Sequence, residues 1–424
     1  MKERNITVNV YLWDVLIGKL SWDKTAMRSV FSFSEEYLDT PFDISPVAFS
    51  KERMRGKSFF GSRSCEGLPE FLADSLPDEW GNILFDKWTR EHQVPLNEMR
   101  SLLKLSFIGK RGMGALEFVP STEVDSSEDA IDLTSLYHVS MKVLHDKEQI
   151  HLGSTEKASL SQLIALGTSA GGKHAKGIIA VNDTGEIRSG QVDLPPEYRY
   201  YLLKFKEEPE VPTCEVEKLF YDMATDAGIR MMHSDLYPIA GTNHFLTERF
   251  DRLPGGGKIH IQSLRALSPS AGDYMNLFWL CDRLHVPDGQ KEELFRRMVF
   301  NHIAGVSDDH NRNFSFMMDR RGQWSLSPAY DLMFSSNTWE NPAAIAHCLG
   351  MWQKRAHITR DDFVDFGEDI GIPHCGEIIS EVHRSVATFP ERCKALGIDG
   401  YWTDLIWNVI KDLLSFSAGV TRLP

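Results

Sequence analysis

The spacing of apolar residues changes along this chain, and that change limits what it can fold into. Near the start, Ile6, Val8, Val10 and Leu12 stand two apart, a further short strand fits Leu16 to Leu20, and Phe31 and Phe33 repeat the alternation. A period of two predicts strands with one buried face, here a small antiparallel sheet. Beyond the flexible stretch PGGGK (254–258) the pattern is mostly helical. Phe295, Met298, Val299 and Ile303, for example, form one stripe of a helix over 291–303. Between these ends the two patterns mix. Residues 68–92 and 159–166 predict helix, 98–120 predicts a helix that passes through a Gly-rich turn into a strand, and 198–206 predicts a strand. Residues 214–229 predict an amphipathic helix, and 244–252 another strand. The polar tract STEVDSSEDA (121–130) marks a boundary. The expectation is an α+β chain in three parts: a β-containing segment over 1–125, an α+β lobe over 126–252, and a helical lobe over 253–424.

Composition narrows the class. The chain has 424 residues with 42% hydrophobic and 25% charged, as ordinary soluble domains have. Its net charge of −14 excludes a surface that binds nucleic acid all over. No apolar run approaches the roughly 18 residues of a membrane span, and the opening MKERNITVNV has no core of signal-peptide length. The six cysteines are scattered without a CxxC pair, which predicts reduced thiols in a cytoplasm.

The densest chemistry lies at 307–315, SDDHNRNFS, between the predicted helix and a predicted hairpin of FSFMM (314–318), DRRGQ (319–323) and WSL (324–326). A solvated turn alone would explain so much Asp and Asn. The flanks favour a site. A hairpin returns its ends to one place, so Asn313 before it and Asp331 after it are predicted neighbours. An amide oxygen beside a carboxylate is a hard-oxygen pair suited to Mg2+. Asp308 stands five residues before Asn313, the spacing of a kinase catalytic loop, in which the Asp accepts the substrate hydroxyl's proton and the Asn holds metal. Asp309 competes for the role of base, one residue short of that spacing.

Such chemistry needs phosphate holders. GTSAGGKHAK (167–176) has three glycines and other small residues ahead of its lysines, so backbone N–H groups there can approach phosphate, although a merely flexible loop reads the same way. Lys204 lies on the predicted strand YLLKFK and Glu217 on the following helix, the lysine–glutamate arrangement of kinases. An edge lysine facing solvent is the plain alternative, and Glu215 rivals Glu217.

Together these segments resemble the HipA-like serine/threonine kinases of bacterial toxin–antitoxin modules, over nearly the whole chain. LADSLPDEWGNIL is similar to that family's N-terminal segment, FIGKRGMGALEF to its Gly-rich turn, and TERFDR to its interlobe strand. SDDHNRNFS with SPAYDL is the strongest match, and HITRDDFVDFGEDIGI (357–372) resembles its C-terminal helical motif. The resemblance implies a bilobal protein-kinase-like fold that uses ATP and Mg2+. It implies Asp308 as base, Asn313 and Asp331 as metal ligands, and Lys204 as the ATP lysine. It also implies backbone contacts from Glu248 and Phe250 to adenine. Ser169, with Thr168 adjacent, matches an autophosphorylated loop serine. Gly171, Gly172 and Lys176 belong to the same phosphate loop, and His310 takes a phosphate-facing position. Asp309 departs from the family, where glycine is common.

The implied function is an ATP-dependent protein kinase acting on a translation factor such as an aminoacyl-tRNA synthetase. It would be restrained by a small helix-turn-helix antitoxin of HipB type and reach DNA only through that complex. The rival readings are a small-molecule phosphotransferase of sugar or aminoglycoside type, which shares the Asp-to-Asn spacing, and a pseudokinase working within a repressor complex.

Overall fold

The computed structural model describes residues 7–95, 99–122, 131–145, 154–167, 172–335 and 346–418. They fall into two compact units. The first takes the chain up to Glu207 with Tyr237–Gln262 and Met317–Gly322; the second takes Glu208–Leu236, Ser263–Phe316 and the chain from Gln323 onward.

The first unit begins with the alternating segments. Strands β1 (Thr7–Leu12), β2 (Val15–Asp23), β3 (Arg28–Phe33), β4 (Ser58–Phe60) and β5 (Leu116–Val119) form an antiparallel sheet in the order β4-β3-β2-β1-β5. Val8, Val10 and Leu12 are fully buried, as the period of two requires. Trp13 and Asp14 join β1 to β2 with positive φ at both positions, the backbone of a two-residue hairpin turn. A side chain at Gly18 would collide with the Ser32 carbonyl and the Phe31 ring, so that position admits only glycine.

A second sheet follows in the order β7-β6-β8-β10-β9. Its strands are β6 (Lys176–Asn182), β7 (Ile187–Ser189), β8 (Tyr198–Lys204), β9 (Ser234–Ile239, of which the last three residues fall in this unit) and β10 (Thr242–Glu248). The stretch 68–92 is two helices, Glu70–Ala73 and Glu79–Glu91. Pro77 separates them, because it lacks an N–H and pushes the residue before it out of the helical region. Trp80, Leu84, Phe85 and Trp88 of the longer helix share one core with Leu163 and Ile164, with Ile179 of β6 and with Leu203 of β8. The Trp80 indole N–H donates to the Lys176 carbonyl at 2.9 Å. The N-terminal helix and the second sheet therefore bury the same apolar surface.

Two of the short motifs meet in this unit. Asp251 accepts hydrogen bonds from Arg249 (2.8 and 2.7 Å), Arg252 (2.8 Å) and the Gly114 N–H (2.7 Å), while Arg252 donates to the Gly112 and Gly114 carbonyls at 2.8 and 3.0 Å. TERFDR thus grips the Gly-rich turn of FIGKRGMGALEF. Burial alone would raise the Asp251 carboxyl, but the two guanidinium groups and these hydrogen bonds hold it well below the usual carboxylate range.

The second unit is built around the helix Asp288–Ala304, whose Leu294, Phe295, Met298 and Val299 are fully buried. Helices Thr213–Asp226, Tyr274–Arg283, Arg360–Asp369, Cys375–Val386, Phe389–Ala395 and Gly400–Ser417 belong to the same unit. Phe220 packs edge-on against Phe300 and Phe389. Gly305, at φ +74°, ends the Asp288–Ala304 helix with its N–H bonded to the Asn301 carbonyl. Among the described residues no helix is long and apolar enough to cross a membrane, and all six cysteines are free thiols.

Candidate active site

The turn at Gly305 delivers the chain into 306–313, and that loop is held at many points. Ser335 Oγ accepts the N–H groups of Ser307 (2.9 Å) and Asp308 (2.8 Å). The Asn313 amide donates to the Asp308 carbonyl at 2.8 Å, closing the loop over the five-residue spacing. The Asn313 N–H bonds the His310 carbonyl (2.9 Å), and His310 Nδ1 accepts from the Arg312 N–H (3.2 Å). On the far side, the Asn311 and Phe314 carbonyls accept from Arg265 (3.0 Å) and Leu264 (2.8 Å).

The two adjacent carboxylates have opposite surroundings. Asp308 is exposed; Asp309 is 1% exposed. Asp309 Oδ2 accepts from the Tyr274 hydroxyl (2.6 Å) and meets His347 Nδ1 (3.1 Å), while Oδ1 accepts from the N–H groups of Cys348 (2.7 Å) and Leu349 (3.3 Å). Burial works to raise the Asp309 carboxyl, but His347 and the Tyr274 hydrogen bond hold it below its usual value. A carboxylate so enclosed does not reach a substrate hydroxyl. Asp308 is the one of the two that faces solvent.

The hairpin is β11 (Ser315–Met318) and β12 (Trp324–Leu326), and its open end closes through the Ser327 N–H to the Ser315 carbonyl at 3.0 Å. Tyr330 ties the two ends further: its hydroxyl donates to the Arg312 carbonyl at 2.7 Å and hydrogen-bonds the Ser315 hydroxyl. The residues that flank Asn313 and Asp331 are therefore joined directly. Asp331 is exposed and carries φ +58°, a left-handed conformation that costs a non-glycine residue energy. Because the Asn313 amide nitrogen is committed to Asp308, its oxygen remains as acceptor. One exposed carboxylate with one amide oxygen fits a hard cation that keeps water or phosphate in its other positions. Among the described residues no three His, Cys, Asp or Glu side chains converge as a metal cluster.

The other candidates are placed as follows. Ser169 and Gly171, with Thr168, lie outside the described residues. Gly172 has φ +101°, and a side chain there would strike the Lys176 ammonium group. In the first unit, Lys176 of β6 and Lys204 of β8 are direct antiparallel partners, and Phe245 of β10 is Lys204's partner on the other side. Directly opposed residues share a sheet face, so the two lysine side chains leave the sheet on the same side, and the Lys204 ammonium lies 5.8 Å from the centre of the Phe245 ring. Glu207 is part of this environment. Burial works to raise it, but His174, the Ala175 N–H and Lys176 hold it below the usual carboxylate value. Leu203 and Phe205 are buried on the opposite face from half-buried Lys204. Glu248 ends β10 opposite Tyr201, and half-buried Phe250 follows the Arg249 N–H that bonds the Tyr200 carbonyl (2.8 Å). In the second unit, Glu217 and Glu215 are both buried on the helix Thr213–Asp226. Sequence reading missed Ser335, Tyr330, Tyr274 and His347. Only Tyr330, next to Asp331 in AYD, carried a local signal.

An exposed carboxylate five residues ahead of a tethered amide, on a loop between a buried helix and a hairpin in an α+β chain, defines a protein of kinase-like fold. Comparison with known proteins gives the family. The model for the HipA-like C-terminal domain matches residues 168–389 and the HipA N-terminal domain matches 8–119. The serine/threonine-protein kinase toxin HipA of Shewanella oneidensis is 21% identical over 365 residues, 78% of this chain and 75% of that one. A putative kinase, Y4dM, of Sinorhizobium fredii is 22% identical over 79% of each chain. A putative kinase of Haemophilus influenzae is 33% identical over 97 residues, 28% of that protein. The solved Shewanella oneidensis HipA, from a complex with HipB and operator DNA, superposes with a TM-score of 0.69 at 18% identity, over 98% of this chain and 100% of that one. The chain belongs to the HipA family.

Proposed function

We propose that this protein is an ATP- and Mg2+-dependent serine/threonine protein kinase, the toxin of a toxin–antitoxin module. The observation that carries the reading is the pinned loop that leaves Asp308 exposed while fixing its backbone through Ser335 and Asn313. In this reading Asp308 accepts the proton of the acceptor hydroxyl as its oxygen attacks the γ-phosphorus, the bond from that phosphorus to the β–γ bridging oxygen breaks, and ADP leaves. Asn313 and Asp331 are the residues that hold Mg2+. When bound, the metal neutralises charge on the phosphates. Lys204 holds the α/β-phosphates, Lys176 is its partner across the β6–β8 pairing, and Glu217, with Glu215 as rival, is the helix glutamate of the kinase arrangement. Backbone groups of Glu248 and Phe250 meet adenine, and His310 faces phosphate.

The acceptor is a protein, and a translation factor such as an aminoacyl-tRNA synthetase is the class we favour. The Shewanella relative assembles with HipB and operator DNA. A small helix-turn-helix partner would serve here too, since a net charge of −14 suits DNA contact through a basic partner rather than by this chain alone. Phosphate on Ser169 would bring about −1.5 to −2 charges into a phosphate-binding loop and expel ATP, a self-limiting switch.

Incubation with γ-labelled ATP, Mg2+ and a cell lysate tests the reading. A labelled protein band supports it. A labelled metabolite would replace it with a small-molecule kinase, and no transfer at all would leave a pseudokinase. Mass spectrometry of the same sample tests the switch: phosphate on Ser169 with lost nucleotide affinity supports it, and an unmodified Ser169 removes it.

A further inference from the structure

Asp309 is buried immediately beside the proposed base, and the reaction as described gives it no role. Its four partners are not local. Tyr274 comes from the helix Tyr274–Arg283, and His347, Cys348 and Leu349 come from the segment that follows residue 345. Cys348 also donates its N–H to the Ser307 carbonyl at 3.1 Å, and its thiol lies 3.8 Å from an Asp308 carboxylate oxygen. That segment continues as a small hairpin. The His347 N–H bonds the Arg355 carbonyl (2.8 Å), and Met351 and Lys354 exchange backbone bonds across Trp352 and Gln353, both at positive φ. Behind it, Asn301 donates to the Tyr274 hydroxyl (3.1 Å) and the His302 ring stacks on His347 at 3.9 Å.

We propose that Asp309 is a positioning residue for the transfer: its carboxylate locks the 347–349 backbone against the loop 306–313 and so fixes where the Asp308 carboxylate stands when an acceptor hydroxyl arrives. The role rests on the kinase reading above. A buried carboxylate with four donors is a stiff anchor, because losing it takes the acceptor from the buried Leu349 N–H and leaves the Cys348 N–H only the Ser307 carbonyl. Asp308 follows the anchor through one peptide bond. The hairpin that begins at His347 becomes a fixed wall beside the base.

Cys348 is the exposed thiol among the six and serves as a reporter. Burial, then the charges of Asp309 and Asp308, push it up to about 11, so it alkylates slowly near neutral pH. The test uses the full chain and two variants, Asp309→Ala and the isosteric Asp309→Asn, whose amide oxygen still accepts from Cys348 and Leu349. Transfer from γ-labelled ATP into lysate protein should fall about 100-fold in kcat for Asp309→Ala, the scale of a misplacement of about 1 Å, with KM for Mg·ATP unchanged. Asp309→Asn should recover most of that loss. Iodoacetamide should modify Cys348 several-fold faster in Asp309→Asn than in the wild type, because one negative charge is gone. Wild-type kcat in both variants overturns the proposal, as does a loss shared equally between kcat and Mg·ATP affinity, which marks a general structural role. An unchanged Cys348 rate in Asp309→Asn overturns the clamp by itself, whatever the activity. Absence of transfer by the wild type overturns the kinase reading, and the catalytic part of this inference with it.

Discussion

The loop at 306–313 and the lysine face of the second sheet are both candidate binding surfaces, yet different physics holds them. Hydrogen bonds from five separate segments pin the loop, and every one is specific: Ser335, Tyr330, Arg265, Tyr274 and 347–349. The lysines are placed by strand register, with Lys176 opposite Lys204 in the β6–β8 pairing. A polar clamp fixes one atom tightly and is costly to break in part. A register fixes a row of side chains and tolerates the loss of one. Substitutions in the loop should therefore act sharply on chemistry, and substitutions on the lysine face should act gradually on binding.

The comparison breaks most visibly at Asp331. Asp331→Ala removes one of the two proposed hard-oxygen ligands and should abolish Mg2+-dependent ATP binding by calorimetry. Unchanged affinity would remove the metal assignment. Acid should then affect both units alike. Burial pulls His260 in the first unit and His302 in the second down to about 3. Each stays neutral in the fold while the unfolded chain takes up a proton below its ordinary value of about 6.5, so each lowers stability as pH falls from there toward 3. The slope is about 1.4 kcal/mol per pH unit per histidine, and chemical denaturation at pH 7 and pH 5 measures it. His260→Gln and His302→Gln should each flatten that dependence; a slope unchanged in both contradicts the burial argument.

Smaller effects separate the two surfaces. Lys204→Ala should weaken ATP about 10–100-fold, the loss of one charge-assisted contact of about 1.5–3 kcal/mol, with kcat at saturating ATP less affected. A structure with nucleotide bound and Lys204 far from phosphate would refute this. Tyr330→Phe removes the bond to the Arg312 carbonyl, which is worth about 0.5–1.5 kcal/mol. It should lower kcat several-fold without changing ATP affinity. The reverse pattern would mean that the hairpin tie serves binding instead.

The sequence made much of this scaffold readable. Val8, Val10 and Leu12 announced a half-buried strand, and the stripe Phe295, Met298, Val299, Ile303 announced the central helix, because burial on one face imposes a period. The hairpin at 315–326 and the closeness of its two ends followed from turn chemistry. Residues 68–92 read as one helix only because apolar spacing resumes in phase after Pro77. What could not be read was the contrast in burial between Asp308 and Asp309: the five-residue spacing to Asn313 favoured Asp308 as base, but nothing local showed that its neighbour is enclosed. Their fates are set by Tyr274, His347 and two backbone N–H groups that lie 35 to 40 residues away in sequence. The merging of the N-terminal helix with the second sheet was hidden for the same reason, since Trp80 reaches its partner Lys176 across 96 residues.

Single-turnover transfer by Asp308→Asn, with nucleotide affinity measured on the same preparation, tests the central claim. The amide keeps the size of the side chain and leaves the Ser335 and Asn313 bonds to the backbone intact, but it does not take a proton. Transfer should fall by about 10²–10⁴-fold, the usual contribution of a positioned base, while Mg·ATP binds as in the wild type. If Asp308→Asn transfers phosphate at the wild-type rate, the base lies elsewhere and the account of this loop is wrong.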